Sequence, residues 1–410
     1  MAINASGQVA GYSSMPPNDL ERAFRYDGNP ASGGTMRNLL TLGGTRSYGR
    51  GINNSGQVAG FSETAAGPEH AFRYDGTPGI GGVMRDLGTL GGPVSDGEDV
   101  NGSGQVAGWS WINSTGAAHA FRYDGTPGVD GVMRDLGTLG GTNSQGWAIN
   151  ASGQVAGYSY RSGDVVFRAF RFDGTPGVSG VMRDLGTLGG DVSAAFGMND
   201  SGQVVGRSVL SGSPYDRAFR YDGTPGSGGV MRELATLGGA RSDAYDINNF
   251  GFVVGEAGRY GTGEEDRWAT LWLPDRSPVD LDAWLDANNP TLGARWVLIQ
   301  AWDINDSGLI TGEGYYDDGV GGLLDGYRAF LLDASSLVPE PGLGWLVALG
   351  LGASRRRRHK KGLLRIITPP PKTSGSSRSG NPSPFASLHR CSERARSIAC
   401  HRTYPSAPSR

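Results

Sequence analysis

The residues with the chemistry for catalysis recur in this chain; none stands alone. Carboxylates at Asp75, Asp124, Asp173 and Asp222 each follow an arginine by two positions. Cleaving a glycosidic bond or abstracting a proton takes two positioned acid groups, or an activated nucleophile, at one asymmetric site. Acids repeated in identical surroundings suit turns better, and the Arg-Tyr-Asp string reads as a recurring surface pair or turn contact. His70 and His119, the two histidines of residues 1–340, stand where other copies carry Arg22, Arg168 and Arg217, so they read as variable strand-entry residues. The loop Glu264-Glu265-Asp266 and the pair Asp317-Asp318 offer oxygen ligands but lack the alternating Asp/Asn spacing of a Ca²⁺ loop. Both cysteines, Cys391 and Cys400, lie near the end of the chain, so the body has no thiolate metal site. No catalytic, cofactor-binding or metal-ligating residue is assigned.

What positions these residues is a repeated phrase. Ile52-Asn53-Asn54-Ser55-Gly56-Gln57-Val58-Ala59-Gly60 returns with small edits from Ile3, Val100, Ile149, Met198, Ile247 and Ile304, at intervals of 49, 48, 49, 49, 49 and 57 residues. A fixed period of this length marks an array of one supersecondary unit. Asn-x-Ser-Gly gathers turn formers, with Gly free to take φ > 0 and Asn able to bond nearby backbone. Its apolar flanks make the phrase strand, turn, strand. The same triplet matches a glycosylation acceptor, but its recurrence at a tight turn favours the structural role.

One full unit runs from Ser47 to about Asp96. Tyr48–Ile52 and Gln57–Ser62 are its first two strands, followed by a variable loop, Glu63–Glu69. His70–Asp75 alternates apolar and polar residues as a third strand. Gly76-Thr77-Pro78-Gly79 is a turn, Val83–Leu87 is the fourth strand, and Gly88-Thr89-Leu90-Gly91-Gly92 leads to the next unit, the recurring Leu-Gly-Thr-Leu-Gly-Gly phrase itself reading as a strand. Four short strands in about 49 residues predict an all-β, seven-bladed β-propeller over 1–334. Periodicity alone leaves open an unclosed ring or a linear solenoid. Small residues such as Ala59 and Gly60 would let blades approach while Phe72, Tyr74 and Leu87 fill the space. Unit six diverges: Asp280 is an N-cap, Leu281, Trp284 and Leu285 share one face, and Pro290 is a stop, so a short helix is expected over 281–288. Asp280, Asp282 and Asp286 then complement the helix dipole and are not metal ligands.

The net charge of −3 hides an asymmetry. Residues 1–340 hold 23 arginines, no lysine and 39 acids; residues 341–410 hold 14 basic residues and one acid. An acidic body disfavours nucleic acid as a partner. Met1-Ala2-Ile3-Asn4 matches Trp147-Ala148-Ile149-Asn150, so Met1 falls inside a repeat, and an upstream extension with a signal peptide is expected. After Val338-Pro339-Glu340-Pro341 comes an apolar run, Gly342 to Ala353, and then Arg355-Arg356-Arg357-Arg358-His359-Lys360-Lys361. An apolar run stopped by a basic cluster reads as a membrane segment with its basic end inside. Twelve helical residues reach roughly 18 Å, short of the ~30 Å hydrocarbon core, so membrane contact would be transient. A short helix is expected over 343–353, and residues 362–410, rich in Ser, Pro and Arg, read as a disordered tail.

Two families are similar to these stretches. The recurring Ile-Asn-x-Ser-Gly-Gln-Val-x-Gly, with His70-Ala71-Phe72 and Leu87-Gly88-Thr89-Leu90-Gly91-Gly92, resembles the HAF repeat of bacterial extracellular proteins over about 1–334. Residues 335–361, with Val338, Pro339, Glu340 and Pro341, the apolar run and Arg355, Arg356, Arg357 and Arg358, look like a PEP-CTERM sorting signal. That resemblance implies export, processing by an exosortase-type enzyme and a cell-surface or matrix location in bacteria that make exopolysaccharide. Neither family implies an enzymatic activity or a cofactor. The expected role is a non-enzymatic surface protein that binds or scaffolds, with exopolysaccharide or surface glycans as candidate partners. The alternatives are a lectin-like propeller with several equivalent glycan sites, and a carbohydrate-active propeller hydrolase.

Overall fold

The computed structural model describes residues 1–15, 20–28, 33–261, 266–317, 319, 326–338 and, by backbone, 363–366. Seven four-stranded antiparallel sheets follow one another along the chain, each with its strands in sequence order, arranged as the blades of a propeller. Blade 2 is representative: Gly43–Ile52, Val58–Thr64, Glu69–Thr77 and Ile80–Asp86. The turn between the first two strands is Asn-x-Ser-Gly, and it lies at the same end of the blade as the Gly-Thr-Pro-Gly turn between strands three and four. This end is the turn face. The variable connection between strands two and three lies at the opposite end, the loop face.

Leu-Gly-Thr-Leu-Gly-Gly, expected as a strand, is instead a crossover between blades. Leu136 extends the fourth strand of blade 3 through its N–H to Ala120 O (2.9 Å), and Gly140 opens the first strand of blade 4. The outer strand of blade 7 is Leu363–Ile366, paired antiparallel with Phe330–Asp333, so these four residues of the segment read as a disordered tail are a strand. The 343–353 helix and the rest of 362–410 lie outside the described residues. The expected helix is present as Leu281–Asn288, with the Asp280 carboxylate accepting from Ala283 N at 3.0 Å. Pro290 does more than stop it: Pro290–Gly293 forms a second short helix capped by Asn289.

Ring closure rests on the turn asparagine. Asn53 Oδ1 accepts from the Ser55 and Gln57 amides at 3.0 Å and so shapes its own turn, with Gly56 at φ +73°. Its Nδ2 donates to Gln57 Oε1 (2.7 Å) and to the carbonyl of Asn101, the equivalent residue in the next blade, at 2.8 Å. The same inter-blade bond runs from Asn4 to Asn53, Asn101 to Asn150, Asn150 to Asn199, Asn199 to Asn248 and Asn248 to Asn305. Asn305 Nδ2 then donates to Asn4 O at 3.0 Å, completing a circle across 301 residues of chain. Ile3, Val9, Phe24 and Tyr26 of blade 1 pack with Leu309 and Leu331 of blade 7 across the same seam. The ring is closed.

The Arg-Tyr-Asp string is an inter-blade clamp: of the two expected roles the turn contact is present, and the arginine is buried, not part of a surface pair. Arg73 is 5% exposed. Its Nε meets Asp75 at 2.9 Å, while Nη1 reaches two carbonyls of blade 3, Gly104 at 2.5 Å and Gly125 at 3.1 Å. Arg25, Arg122 and Arg171 repeat this geometry, and Arg220 reaches Pro274 O instead. Gln57 Nε2 also donates to Asp75, so one network joins turn, clamp and neighbouring blade. Near the loop face a serine in the first strands of blades 2 to 6 makes a further tie: Ala71 N donates to Ser95 Oγ at 2.8 Å, and Ser95 Oγ donates to Gly88 O at 2.6 Å. Between blades, Phe72 and Tyr74 pack on Ala2, Ala10, Ala23 and Leu39 of blade 1. A fully buried Phe or Leu is worth about 1.5–3 kcal/mol, and small residues on the facing blade let that packing form. At Gly49 the approach is close: a Cβ there would meet Gly11 O at 2.9 Å.

Two outcomes follow from this geometry. Asn53→Ala should cost about 2–3 kcal/mol, the penalty for leaving buried partners unpaired, measured as a lower midpoint in urea. Asn53→Asp keeps the acceptor that shapes the turn but loses the donor to Asn101, and should recover only part of that loss. Gly49→Val should destabilise by at least as much as a typical overpacking change, about 1–3 kcal/mol, whereas Ala195→Gly, at the equivalent position of blade 5, should shift the midpoint by less.

Candidate functional site

Seven blades built on one plan make departures from the plan informative. The first strands lie innermost, and each full-length one carries a β-bulge that leaves a single residue unpaired: Arg50, Glu98, Trp147, Phe196, Tyr245 and Trp302. Bulges re-aim side chains. Two residues before each bulge stand Tyr48, Asp96, Gln145, Ala194, Asp243 and Gln300, opposite Phe61, Trp109, Tyr158, Arg207, Glu256 and Glu313 on the second strands. These positions differ from blade to blade while their neighbours repeat. Together they form a belt on the inner strands, towards the loop face.

Direct contacts join the belt residues in runs. Tyr12 and Tyr48 lie 4.4 Å apart and Tyr48 stacks on Phe61 at 4.6 Å. Arg50 lies over the Phe61 ring and pairs with Asp96 at 3.1 Å and Glu98 at 3.7 Å. An aromatic arc follows, Trp147 to Phe196 at 5.6 Å, Phe196 to Tyr245 at 6.2 Å and Tyr245 stacked on Trp302 at 4.6 Å. Arg267 bonds Asp243 at 2.9 Å and also Glu256, which in turn accepts from Gln300. Burial pushes the Asp96 carboxyl well above the ordinary range, with Glu98 adding and Arg50 opposing. Burial likewise raises Asp243 to about 6, against the pull of Arg207 and Arg267.

One residue beyond the bulge, towards the turn face, three blades carry an acid where the others carry Ala or Gly: Asp99, Asp246 and Asp303. Each accepts from the first strand of the following blade, Asp99 from Ile149 N (2.9 Å), Asp246 from Ile304 N (3.1 Å) and Asp303 from Ile3 N (3.0 Å). The preceding blade must make room: a Cβ at Gly51 would meet Asp99 Oδ1 at 2.9 Å, and one at Gly197 would meet Asp246 Oδ1 at 3.1 Å. Burial raises Asp99 to about 6. Asp246 and Asp303 share a hydrogen bond, and burial together with the neighbouring carboxylate pushes Asp303 well above the ordinary range.

The recurring residues considered first are structural. Asp75, Asp124, Asp173 and Asp222 pair with their clamp arginines at 2.9–3.0 Å. His70 and His119 pair across strands with Asp86 and Asp135, where Arg217 pairs with Glu233. Asp280 and Asp282 both bind Arg259, and Asp282 accepts from Leu298 N, so their roles exceed dipole compensation. Of the sorting motif, Val338 is buried in the core of the last blades beside Leu332 and Phe330; Pro339, Glu340, Pro341 and Arg355 to Arg358 lie outside the described residues, as do Glu264, Glu265 and Asp318. Among the described residues no helix is long and apolar enough to cross a membrane. The belt was not singled out from sequence, although the signal was there: it is the set of positions at which otherwise matching repeats disagree. Comparison with family models and with curated proteins finds no match to this chain.

A pH test follows from the axial acids. A carboxyl whose folded pKa exceeds its unfolded value near 3.9 contributes stability that is fully present below that value and is lost as pH rises through the folded pKa. Asp99 should therefore contribute less stability at neutral pH than at pH ~4, with the change completed above about 6. Asp99→Asn should flatten this part of the urea-midpoint profile between about pH 4 and 7; an unchanged profile would contradict the burial assigned to Asp99.

Proposed function

We propose that this chain is a non-enzymatic, exported surface or matrix protein whose propeller binds or scaffolds. The supporting observation is the division of labour among its polar residues. Those that recur, Asn53, Gln57, Arg73, Asp75 and their counterparts, bond one blade to the next, and those that break the repeat gather in one asymmetric belt. A rigid ring presenting one non-repeating surface suits recognition. The recurring rings do not support several equivalent glycan sites, because Phe72 and Tyr74 are buried between blades. Glycan recognition, if it is the role, is better placed on the belt, where Trp109, Trp147 and Trp302 are only half-buried.

Export and processing by an exosortase-type enzyme form the other part of this proposal, carried by Val338-Pro339-Glu340-Pro341 and the basic cluster Arg355 to Arg358. Processing at this motif would remove Leu363–Ile366 and leave blade 7 with three strands. The ring bonds of Asn305 and Asp303 come from its first strand and its turn, so closure does not need the fourth. In a host with the sorting enzyme, mass spectrometry of surface protein should find peptides from the blades and none from beyond Arg358. Intact peptides from beyond Arg358 would mean that the segment is not processed, and the sorting reading would fall.

A further inference from the structure

Within the belt, blades 6 and 7 place four non-repeating residues at matched positions. Asp243 and Tyr245 stand on the first strand of blade 6, Gln300 and Trp302 on that of blade 7. Asp243 is 2% exposed, and Glu256, which links it to Gln300 through Arg267, is fully buried. Two acceptor oxygens in this cluster have no hydrogen-bond partner among the described residues: Asp243 Oδ1 and Gln300 Oε1. A buried acceptor without a donor is costly, and here two from adjacent blades share one bonded cluster. Two residues further along the same strands, Tyr245 and Trp302 stack at an interplanar angle of 28°.

The chemistry these groups lack is specific. Two open acceptors call for a ligand with at least two donor hydrogens. The charge balance calls for a cation: three acids, Asp243, Glu256 and Asp216, face two arginines, Arg267 and Arg207. The stacked rings favour a cation with apolar substituents, since aromatic faces attract positive charge and bury hydrocarbon. A neutral polyol answers only the first demand, and a quaternary ammonium only the other two.

We propose that the inner strands of blades 6 and 7 form a binding site for a primary alkylammonium group, with Asp243 Oδ1 and Gln300 Oε1 accepting its hydrogens and its alkyl part lying against Trp302 and Tyr245. The proposal deepens the binding role above and rests on it only in treating the ring as a receptor.

The test uses the full chain and three small probes of similar size: n-butylammonium chloride, n-butanol and tetramethylammonium chloride, with sodium chloride matching ionic strength. Binding is read by tryptophan fluorescence and by calorimetry at tens of millimolar. Only n-butylammonium should saturate. Asp243→Asn and Trp302→Ala should each weaken it tenfold or more, and Gln300→Leu, which leaves the Arg267 ion pairs in place, should weaken it several-fold; circular dichroism checks that each variant is folded. Affinity should rise between about pH 5 and 8, because the cation displaces the proton that Asp243 holds up to about 6 among Arg207, Arg267, Glu256 and Asp216. Equal binding of n-butanol would make the site a neutral apolar one, and equal binding of tetramethylammonium would remove the role of the two acceptors; either result overturns the proposal. So would no saturation with any probe, or saturation that the variants leave unchanged. Sorting is read by peptide mapping and does not enter this titration, so a failure here leaves that part standing.

Discussion

One side-chain amide holds the architecture together. The turn asparagine needs its oxygen to fold its own hairpin and its nitrogen to reach the next blade, and both ends must be satisfied because the group is buried. Aspartate supplies only the acceptor, and serine is too short to serve both partners. Seven such amides, each 2.8–3.3 Å from the next blade's carbonyl, convert a string of hairpins into a circle. The arginine clamp then reads the same turn from the other side, since Arg73 bonds Gly104 O in the turn that Asn101 shapes. A buried guanidinium is tolerable here because Asp75 and two carbonyls occupy its donors.

This arrangement separates the recurring residues that hold the ring from the residues that break the repeat. The turns and the blade interfaces are fixed by groups that recur and are mutually satisfied, so the inner strands around the bulge are free to vary. They vary towards groups that cost stability. Asp96, Asp99, Asp243, Asp246 and Asp303 all have carboxyls raised by burial, and several belt atoms, Asp96 Oδ1 and Asp243 Oδ1 among them, lack partners among the described residues. Breaks in local consistency of this kind concentrate at functional sites, where other parts of the fold offset them. The β-bulge is the device that makes this possible. It inserts one residue in each full-length first strand, and so points Glu98, Trp147 or Trp302 into the belt while Val100, Ile149 and Ile304 keep their places in the core.

The sequence by itself determined the blade plan. Turn chemistry at Asn53–Gly56, the two-residue alternation of His70–Asp75 and the capped apolar face at Leu281–Asn288 are local properties, and a period of about 49 residues multiplies them into seven units. What it left open involved partners distant along the chain. Whether the array closes depends on Asn305 meeting Asn4, and nothing near either residue encodes that encounter. The clamp looked like a surface pair because the carbonyls that bury Arg73 lie 31 and 52 residues away. Leu-Gly-Thr-Leu-Gly-Gly looked like a strand because its halves belong to two sheets, one ending and one beginning. The belt shows the same limit most plainly: Asp243, Tyr245, Gln300 and Trp302 are unremarkable in their own strands. Only when the innermost strands come together around the axis do buried Asp243 and Tyr245 meet half-buried Gln300 and Trp302, and only there do their charges and open acceptors become a site.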